Sequence, residues 1–480
     1  FGEARLEVLP NDRVRGGIDR HALFLRHQHN LPYGWFGLLN IQKVSDDTYF
    51  TDLTTQVAFT SQTVLPREGM LARGGTWWTD GTWGLSMLVQ RWQTLQTDPL
   101  VPITPPHSRL PQLILTASRQ NVLAADFDFT GNYVDFSHPT LVRGKRVVAY
   151  PSLSLPLQTS YAYVTPKLGL HVTRYALDPS STALRDQTRT LPIFTTEGGL
   201  IFERDTAFTG QRFVQTLEPK IYYVYIPFRE QSQLPNFESG LQDINFATIY
   251  SENQFGGNDR INDANQVTLG VTSRFINPND GAEHLRLGVA QRYYFKPQQV
   301  TLPGVPARTS TSSDLLATVS GTVLRNWVAE GGWQYNTDFS RTQRLSGGVR
   351  YQPQPGQVLN LGYRYTRDVL KQVDISTQWP LRNQWTGLAR WNYSIRDNKV
   401  LEALAGLEYN AGCWAFRVVG HRVTTATQEA VTSIFLQLEL NGVSRIGSNP
   451  FDALRENIAG YVRQDPRPAR SHDPFFIPVR

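Results

Sequence analysis

The chain has 480 residues, of which 40% are hydrophobic, 11% aromatic and only 18% charged. This length exceeds one ordinary soluble domain and the composition is rich in strand formers, so we expect one large, repetitive β architecture. The net charge of +6 is spread without a long basic run, which argues against a nucleic-acid partner, and the single cysteine excludes an internal disulfide framework.

Alternation of apolar and polar residues with a period of two recurs along the chain, and this is the period of a β-strand. Its apolar positions include Val267, Leu269 and Val271; Leu285, Leu287 and Val289; Leu359, Leu361 and Tyr363; Leu401, Ala403 and Ala405; Trp414, Phe416 and Val418; and Ile434, Leu436, Leu438 and Leu440. Several of these runs extend to an aromatic residue, namely Phe275, Phe295, Tyr365 and Tyr409, which is typical of strands that cross a membrane obliquely. At roughly 20 residues per strand and connection, the pattern predicts an all-β fold, a large antiparallel transmembrane β-barrel of about 24 strands.

The connections between the predicted strands differ in length. Residues 230–265 and 297–313 are long and polar, as expected of the loops at one barrel end, and residues 380–383 are typical of the short turns at the other. A soluble β-sandwich, propeller or β-helix would also alternate. The chain shows no fixed repeat of about 40 to 50 residues and no short Gly/Asp repeat, which counts against the last two.

The C-terminal region has a helical pattern. Asn449 and Pro450 form a helix start, and Phe451, Leu454 and Ile458 share one helical face. We therefore predict a transmembrane β-barrel with lumenal and extracellular loops over residues 1–447, a short helix over residues 448–462 and a flexible, proline-rich tail over residues 463–480.

Short motifs, each weak alone, follow one another along nearly the whole chain. They are LPNDR at 9–13, KVSDDTYF at 43–50, SYAYVTPKLGLH at 160–171, FERD at 202–205, QTLEP at 215–219 and GGNDR at 256–260. In this order they resemble the outer-membrane lipopolysaccharide-assembly proteins, also called organic-solvent-tolerance proteins. The resemblance implies a barrel of about 26 strands, within the range of outer-membrane barrels, behind a periplasmic jelly-roll domain that we expect to be absent from this chain.

The same resemblance implies a function in the Gram-negative cell outer membrane. The protein would receive lipopolysaccharide from the periplasmic LptA bridge through the jelly roll, hold the plug lipoprotein LptE in its lumen and insert lipopolysaccharide among the outer-membrane lipids through a lateral gate. The gate lies between the first and last strands, so we assign the last strand, residues 431–443, to it, with Ile434, Leu436, Leu438 and Leu440 facing the acyl chains. A general or substrate-specific porin is the alternative, and an outer-membrane enzyme is a third reading.

Cysteine departs from the family pattern. Members commonly carry two adjacent cysteines near the C-terminus that pair with cysteines of the jelly roll, and the equivalent positions here are Gly412 and Cys413. The resemblance implies one interdomain disulfide from Cys413 in an oxidising periplasm. A buried, unpaired thiol is the alternative.

Several polar groups leave two interpretations open. Gly256, Gly257, Asp259 and Arg260 form either a phosphate cradle or a turn that ties a loop into the lumen. Inward-facing arginines would guide lipid phosphates or would pair with carboxylates; they are Arg274, Arg286, Arg292 and Arg364, with Glu402, Glu408 and Glu439 as partners. Cation-binding or solvated roles stay open for Asp46 with Asp47 and for His27 with His29. We find no nucleophile elbow, phosphate-binding loop or metalloprotease helix, and we expect no catalytic residue, cofactor or metal.

Overall fold

A computed structural model describes most of the chain, namely residues 2–53, 62–78, 80–96, 102–184, 186–208, 210–382, 384–424, 430–440, 444–447 and 450–463. The strands are β1 (Gly2–Asp12), β2 (Ile18–Leu31), β3 (Trp35–Val44), β4 (Val64–Trp77), β5 (Gly81–Thr94), β6 (Ser108–Val122), β7 (Ala125–Ser137), β8 (Gly144–Ser154), β9 (Leu157–Gln158), β10 (Ala162–Leu177), β11 (Gln187–Leu200), β12 (Phe202–Phe208), β13 (Gln211–Ile226), β14 (Ala264–Ile276), β15 (Glu283–Tyr294), β16 (Leu315–Leu324), β17 (Trp327–Asn336), β18 (Arg341–Gln354), β19 (Gln357–Thr366), β20 (Leu370–Pro380), β21 (Trp385–Ser394), β22 (Lys399–Asn410), β23 (Trp414–Thr424), β24 (Ala430–Leu440) and β25 (Ser444–Gly447). The described residues also form the α-helices α1 (Tyr49–Leu53) and α2 (Phe451–Asn457).

All these strands belong to one antiparallel sheet, which confirms the predicted fold class of a large antiparallel β-barrel. Each strand pairs with its neighbour along the chain, except that β8 and β9 share β10, and β11 and β12 share β13. Pro156 lies between β8 and β9, where a residue without a backbone N–H cannot continue the ladder. Most strands have 10 to 16 residues, longer than the about five or six usual in soluble proteins.

The two faces of the sheet differ as the alternation predicts. In β15, Leu287 and Val289 are 41% and 42% exposed on the outer face, whereas Ala290 and Arg292 are 2% and 3% exposed on the inner face. The outer face is therefore apolar, and the inner face carries the buried polar groups. None of the helices in the described part of the chain is long and apolar enough to cross a membrane.

The two ends of the wall differ in their connections. Residues 227–263 and 295–314 connect strands at one end, which we call the long-loop end, and residues 355–356 and 411–413 connect strands at the other, the short-turn end. The predicted loops thus lie at one end, and Pro380, at the start of the predicted turn, lies at the other. Outer-membrane barrels place long loops outside the cell and short turns in the periplasm.

The C-terminal segment folds back into the barrel. After β24 the short strand β25 pairs again with β24, and helix α2 follows. Leu454 and Ile458 are fully buried against inward-facing wall residues, which are Val358, Leu388, Leu404 and Val419. Asn449 and residues 441–443 and 464–480, including most of the predicted tail, lie outside the described residues, as does Asn383.

Candidate functional site

The connection between β13 and β14, residues 227–263, folds into the barrel interior, and we call it the inner loop. Its Phe237 stacks on Phe136 of β7 with ring centroids 4.3 Å apart. Tyr250 lies against Gly270 so closely that a Cβ added to this glycine would lie 1.9 Å from the tyrosine oxygen. Gly270 therefore makes room for an aromatic side chain of the loop, and the loop fills the lumen near the long-loop end.

A fully buried carboxylate fastens the inner loop to the wall. One oxygen of Asp259 accepts hydrogen bonds from Arg146 Nη1 at 2.7 Å and from the Tyr175 hydroxyl at 3.2 Å. Its other oxygen accepts from the backbone N–H groups of Phe237 and Glu238 at 2.9 and 2.8 Å. Asp259 and Arg146 are both 0% exposed. The Asp259 side chain thus binds two backbone groups of the loop and joins the loop to β8 and β10.

The glycine-rich motif around this carboxylate, residues 256–260, donates hydrogen bonds to other groups of the protein. The backbone N–H groups of Asp259 and Arg260 donate to the Ser239 hydroxyl at 3.0 and 3.1 Å, and that of Gly256 donates to the Gly240 carbonyl at 2.8 Å. The Arg260 guanidinium donates to the carbonyls of Leu234 and Pro235, and burial lowers its pKa. Gly257 has a φ of +72°, in the left-handed region that favours glycine. This arrangement fits the interpretation as a tie, because the backbone N–H groups of Gly256, Asp259 and Arg260 and the Arg260 guanidinium all donate within the protein.

Two wall arginines that the sequence analysis did not single out hold the same loop. Arg146 contacts Glu238 as well as Asp259. Arg189 of β11 donates to the Gln231 side chain at 2.7 Å and to the carbonyl of Asp259 at 2.8 Å. Both arginines occupy an inward position of an alternating strand. This position could have identified them from the sequence, because a buried charge requires a partner.

The predicted inward arginines have separate roles. Arg274 pairs with Glu218 at 3.1 Å, and Arg286 with Glu283 at 2.8 Å. Arg292 donates to the backbone of the inner loop at Ile249. The suggested acidic partners pair instead with other residues: Glu402 with Arg390 and His421, and both Glu408 and Glu439 with Arg417.

A cavity of about 930 Å³ lies between the inner loop and helix α2. Arg344, at its rim, pairs with Asp243 of the inner loop at 3.0 Å. Both signs of charge and several amides line it, including Arg350, Arg364, Arg390, Glu330, Asp374, Asn360 and Asn457. This cavity therefore presents charged and amide groups to the interior, beside apolar side chains such as Leu316 and Val349.

The last strand has a strongly two-sided character. Ile434, Leu436, Leu438 and Leu440 lie on its outer face, the first being 69% exposed, while Gln437 and Glu439 are buried on its inner face. β24 pairs with β23 through eleven residue pairs but with β25 through only four. Within the described ranges, β1 pairs only with β2. Among the described strands, the outer edge of β24 thus pairs with β25 alone, and the outer edge of β1 pairs with none of them.

Cys413 is exposed in the short turn between β22 and β23. The next residue, Trp414, pairs with Leu440 at the end of β24. The thiol therefore lies at the short-turn end, beside the last strand. This is the periplasmic end if the loop lengths follow the outer-membrane rule.

Of the acidic pair near α1, Asp46 belongs to an ion cluster around Arg20, and Asp47 is exposed beside it. Arg20 is 1% exposed and contacts Asp12, Asp46 and Asp52 at 3.2, 2.8 and 3.0 Å. Burial alone would raise the pKa of Asp46, but hydrogen bonds from Arg20 and Ser45 hold it below its ordinary value. His27 and His29 stack with their ring centroids 5.9 Å apart, and the described residues contain no cluster of three metal-ligating side chains.

Comparison with known proteins gives a consistent result. The family model described as LptD, LPS transport system D, matches residues 18–385. The LPS-assembly protein LptD of Nitrosomonas europaea is 45% identical over 467 residues, covering 97% of this chain and 64% of that protein. That of Aromatoleum aromaticum is 45% identical, covering 96% of this chain and 58% of that protein. This chain thus spans about two thirds or less of the length of these relatives. Among solved structures, the copper transporter OprC aligns with a TM-score of 0.36 and 13% identity, covering 93% of this chain and 72% of OprC.

Proposed function

The chain belongs to the LptD family of outer-membrane β-barrels, and from this membership we propose that it inserts lipopolysaccharide into the outer leaflet of the outer membrane. Lipopolysaccharide joins a hydrated, phosphorylated saccharide to several acyl chains, so a transporter must offer both a polar and an apolar path. The mechanism is non-covalent, and no residue is assigned a catalytic role.

The observation that carries this proposal is the edge of β24. Its outer face presents Leu436 and Leu438, and its inner face borders the polar interior through Gln437 and Glu439. A lipid passing this edge keeps its acyl chains in the membrane while its saccharide stays on the lumen side. On this edge β24 carries only its four-residue ladder with β25, whereas separation of two inner strands would expose many backbone groups at several kcal/mol each.

The partners follow from the same proposal. Lipopolysaccharide would arrive from the periplasmic LptA bridge through a jelly-roll domain, and LptE would occupy part of the lumen. Cys413 would form a disulfide with that domain, and its exposed position at the short-turn end supports this pairing. A porin is the alternative, but the inner loop fills the lumen at the long-loop end, which counts against an open aqueous channel.

Site-specific photo-crosslinking in the full-length protein tests the proposed route. Crosslinkers at Leu436 and Leu438 should capture lipopolysaccharide during active transport. The matched control is Leu361 of β19, which is also an outward leucine, 44% exposed, but lies in the middle of the wall. We expect strong capture at the first two positions and weak capture at the control. Equal capture at all three would mean that the signal reports ordinary membrane contact.

A second experiment locks the seam, which is the junction between β24 and the first strand of the barrel. A disulfide engineered between β24 and the first strand of the full-length barrel should stop surface delivery, and reduction should restore it. Normal delivery through a fully locked seam would overturn the lateral route and leave the lumen itself as the path.

A further inference from the structure

The segment after β25, residues 450–463, crosses the inner face of the wall, and we call it the C-terminal strap. It contains α2 and the three residues Tyr461, Val462 and Arg463. Leu454 and Ile458 are 0% exposed against the wall. The strap is thus packed like a core element, although it belongs to no strand.

One side of the strap is fixed to strands in the middle of the wall. Gln378 of β20 donates to the Val462 carbonyl at 2.8 Å and accepts from the Val462 N–H at 3.0 Å. Asn360 of β19 donates to the Ala459 carbonyl at 2.9 Å, and Arg390 of β21 donates to Asn457. The strap therefore has a firm attachment that does not involve the last strand.

The other side of the strap holds the last strand. Arg463 pairs with Glu439 of β24, and Glu439 also accepts from Arg417 of β23 at 2.7 Å. The ring of Phe451 lies between these two guanidinium groups, 4.5 Å from that of Arg417 and 5.1 Å from that of Arg463. Arg417 in turn pairs with the buried Glu408 at 2.9 Å. Loss of one member would leave a buried charge without its partner, so these contacts hold together strongly.

All of these contacts lie at one end of β24. Glu439 is near the short-turn end, where β25 also pairs with Gln437–Leu440. At the long-loop end, the described residues Ala430, Thr432 and Ser433 receive no hydrogen bond from the strap. The last strand is consequently anchored at its short-turn end, whereas at the other end its contacts among the described residues are those of its ladder with β23.

We infer that the C-terminal strap is an internal anchor that positions the last strand and makes it pivot about its Glu439 end. Movement of this edge then begins at Ala430, near the long-loop end, while the short-turn end stays attached to β19, β20 and β21 through the strap. The inference rests on the proposed function only in calling β24 a gate strand, and the anchoring can be measured without any lipopolysaccharide.

Hydrogen exchange in the purified full-length protein, followed by mass spectrometry, tests the anchor. In the wild type, amides of residues 430–434 should exchange faster than those of 436–440. Arg463→Gln should raise exchange in 436–440 by about tenfold, as expected when local opening loses a charged hydrogen bond. Arg455→Gln is the matched control, since Arg455 is an exposed arginine on α2 and should leave β24 unchanged.

The deciding variant lies away from the last strand. Gln378→Leu removes both side-chain hydrogen bonds to Val462, and Gln378 lies on β20, whose ladder partners are β19 and β21 rather than β24. An anchor that acts through the strap should therefore again raise exchange in 436–440. Exchange of β10 serves as the reference for the intact wall. If Gln378→Leu leaves β24 unchanged while Arg463→Gln loosens it, the ion pair acts locally and the anchor is refuted. The inference also fails if exchange rises equally in β10, or if neither variant changes β24.

Discussion

The buried carboxylate of the inner loop offers a sharp test of what keeps the lumen filled. In Asp259→Asn the side chain keeps its size but exchanges one acceptor oxygen for a donor. One native oxygen accepts from Arg146 and Tyr175, and the other accepts from two backbone N–H groups. Whichever way the amide turns, one of these sets of donors faces another donor and stays unpaired.

The size of the effect follows from burial. Asp259 and Arg146 are both 0% exposed, and breaking such a buried ion pair costs about 3 to 5 kcal/mol. Release of the loop limits this loss of stability, because water then reaches the unpaired groups. We therefore expect the inner loop to leave the lumen while the strand ladder stays intact.

Asp243→Asn is the matched control, since it makes the same change in the same loop. Asp243 and its partner Arg344 are 74% and 46% exposed, and exposed pairs contribute only about 0 to 1 kcal/mol. The assay combines limited proteolysis of the loop in the folded barrel with single-channel conductance. Asp259→Asn should give rapid cleavage within residues 227–263 and larger conductance, and Asp243→Asn should give neither. Equal behaviour of the two variants would refute the tie.

Three further predictions concern the wall and its ends. Leu361→Arg should destabilise the folded barrel by about 2 to 4 kcal/mol in denaturant titrations in lipid vesicles, whereas Ser320→Arg on the lumen side should cost far less; equal losses would contradict the assignment of faces. In the full-length protein, Cys413→Ser should change mobility in non-reducing electrophoresis, and identical migration with a freely alkylated wild-type thiol would exclude the disulfide. Burial lowers the pKa of His107 below its ordinary value of 6.5, so the folded state favours the neutral ring; its stabilising contribution is complete above that value and falls as the pH drops below it. Denaturant titrations at decreasing pH across this range should show a smaller loss of unfolding free energy in His107→Gln than in the wild type.

The faces of the strands were predictable because the strand period is a local property. Leu436 was expected to face the acyl chains, and it is exposed on the outer face, as is Leu361 at an apolar position of another alternating run. The amphipathic pattern of Phe451, Leu454 and Ile458 was also visible, and the helix α2 begins at the first of these residues. In each case, neighbours within one element carry the information.

Partners distant in sequence were not predictable in this way. Asp259 was recognised as part of a motif, but its partner Arg146 is 113 residues away, and nothing local in the chain pairs the two. The same holds for Glu439, for which the sequence analysis suggested the inward arginines of β14, β15 and β19 and the structure shows Arg417 and Arg463. Which buried charges meet depends on the closure of the whole wall, and this is a tertiary property.

The connectivity of the sheet has a consequence for how the protein folds. Every long strand pairs with a neighbour in sequence, so the wall can grow by successive hairpins with little loop entropy lost at each step. The inner loop and the C-terminal strap differ, because their contacts span 113 and 99 residues. Neither can dock until several hairpins are in place. We therefore expect slow late phases in refolding that report the docking of these two segments, and a chain stalled part-way would carry Arg146 on its inner face with the carboxylates Glu238 and Asp259 still missing.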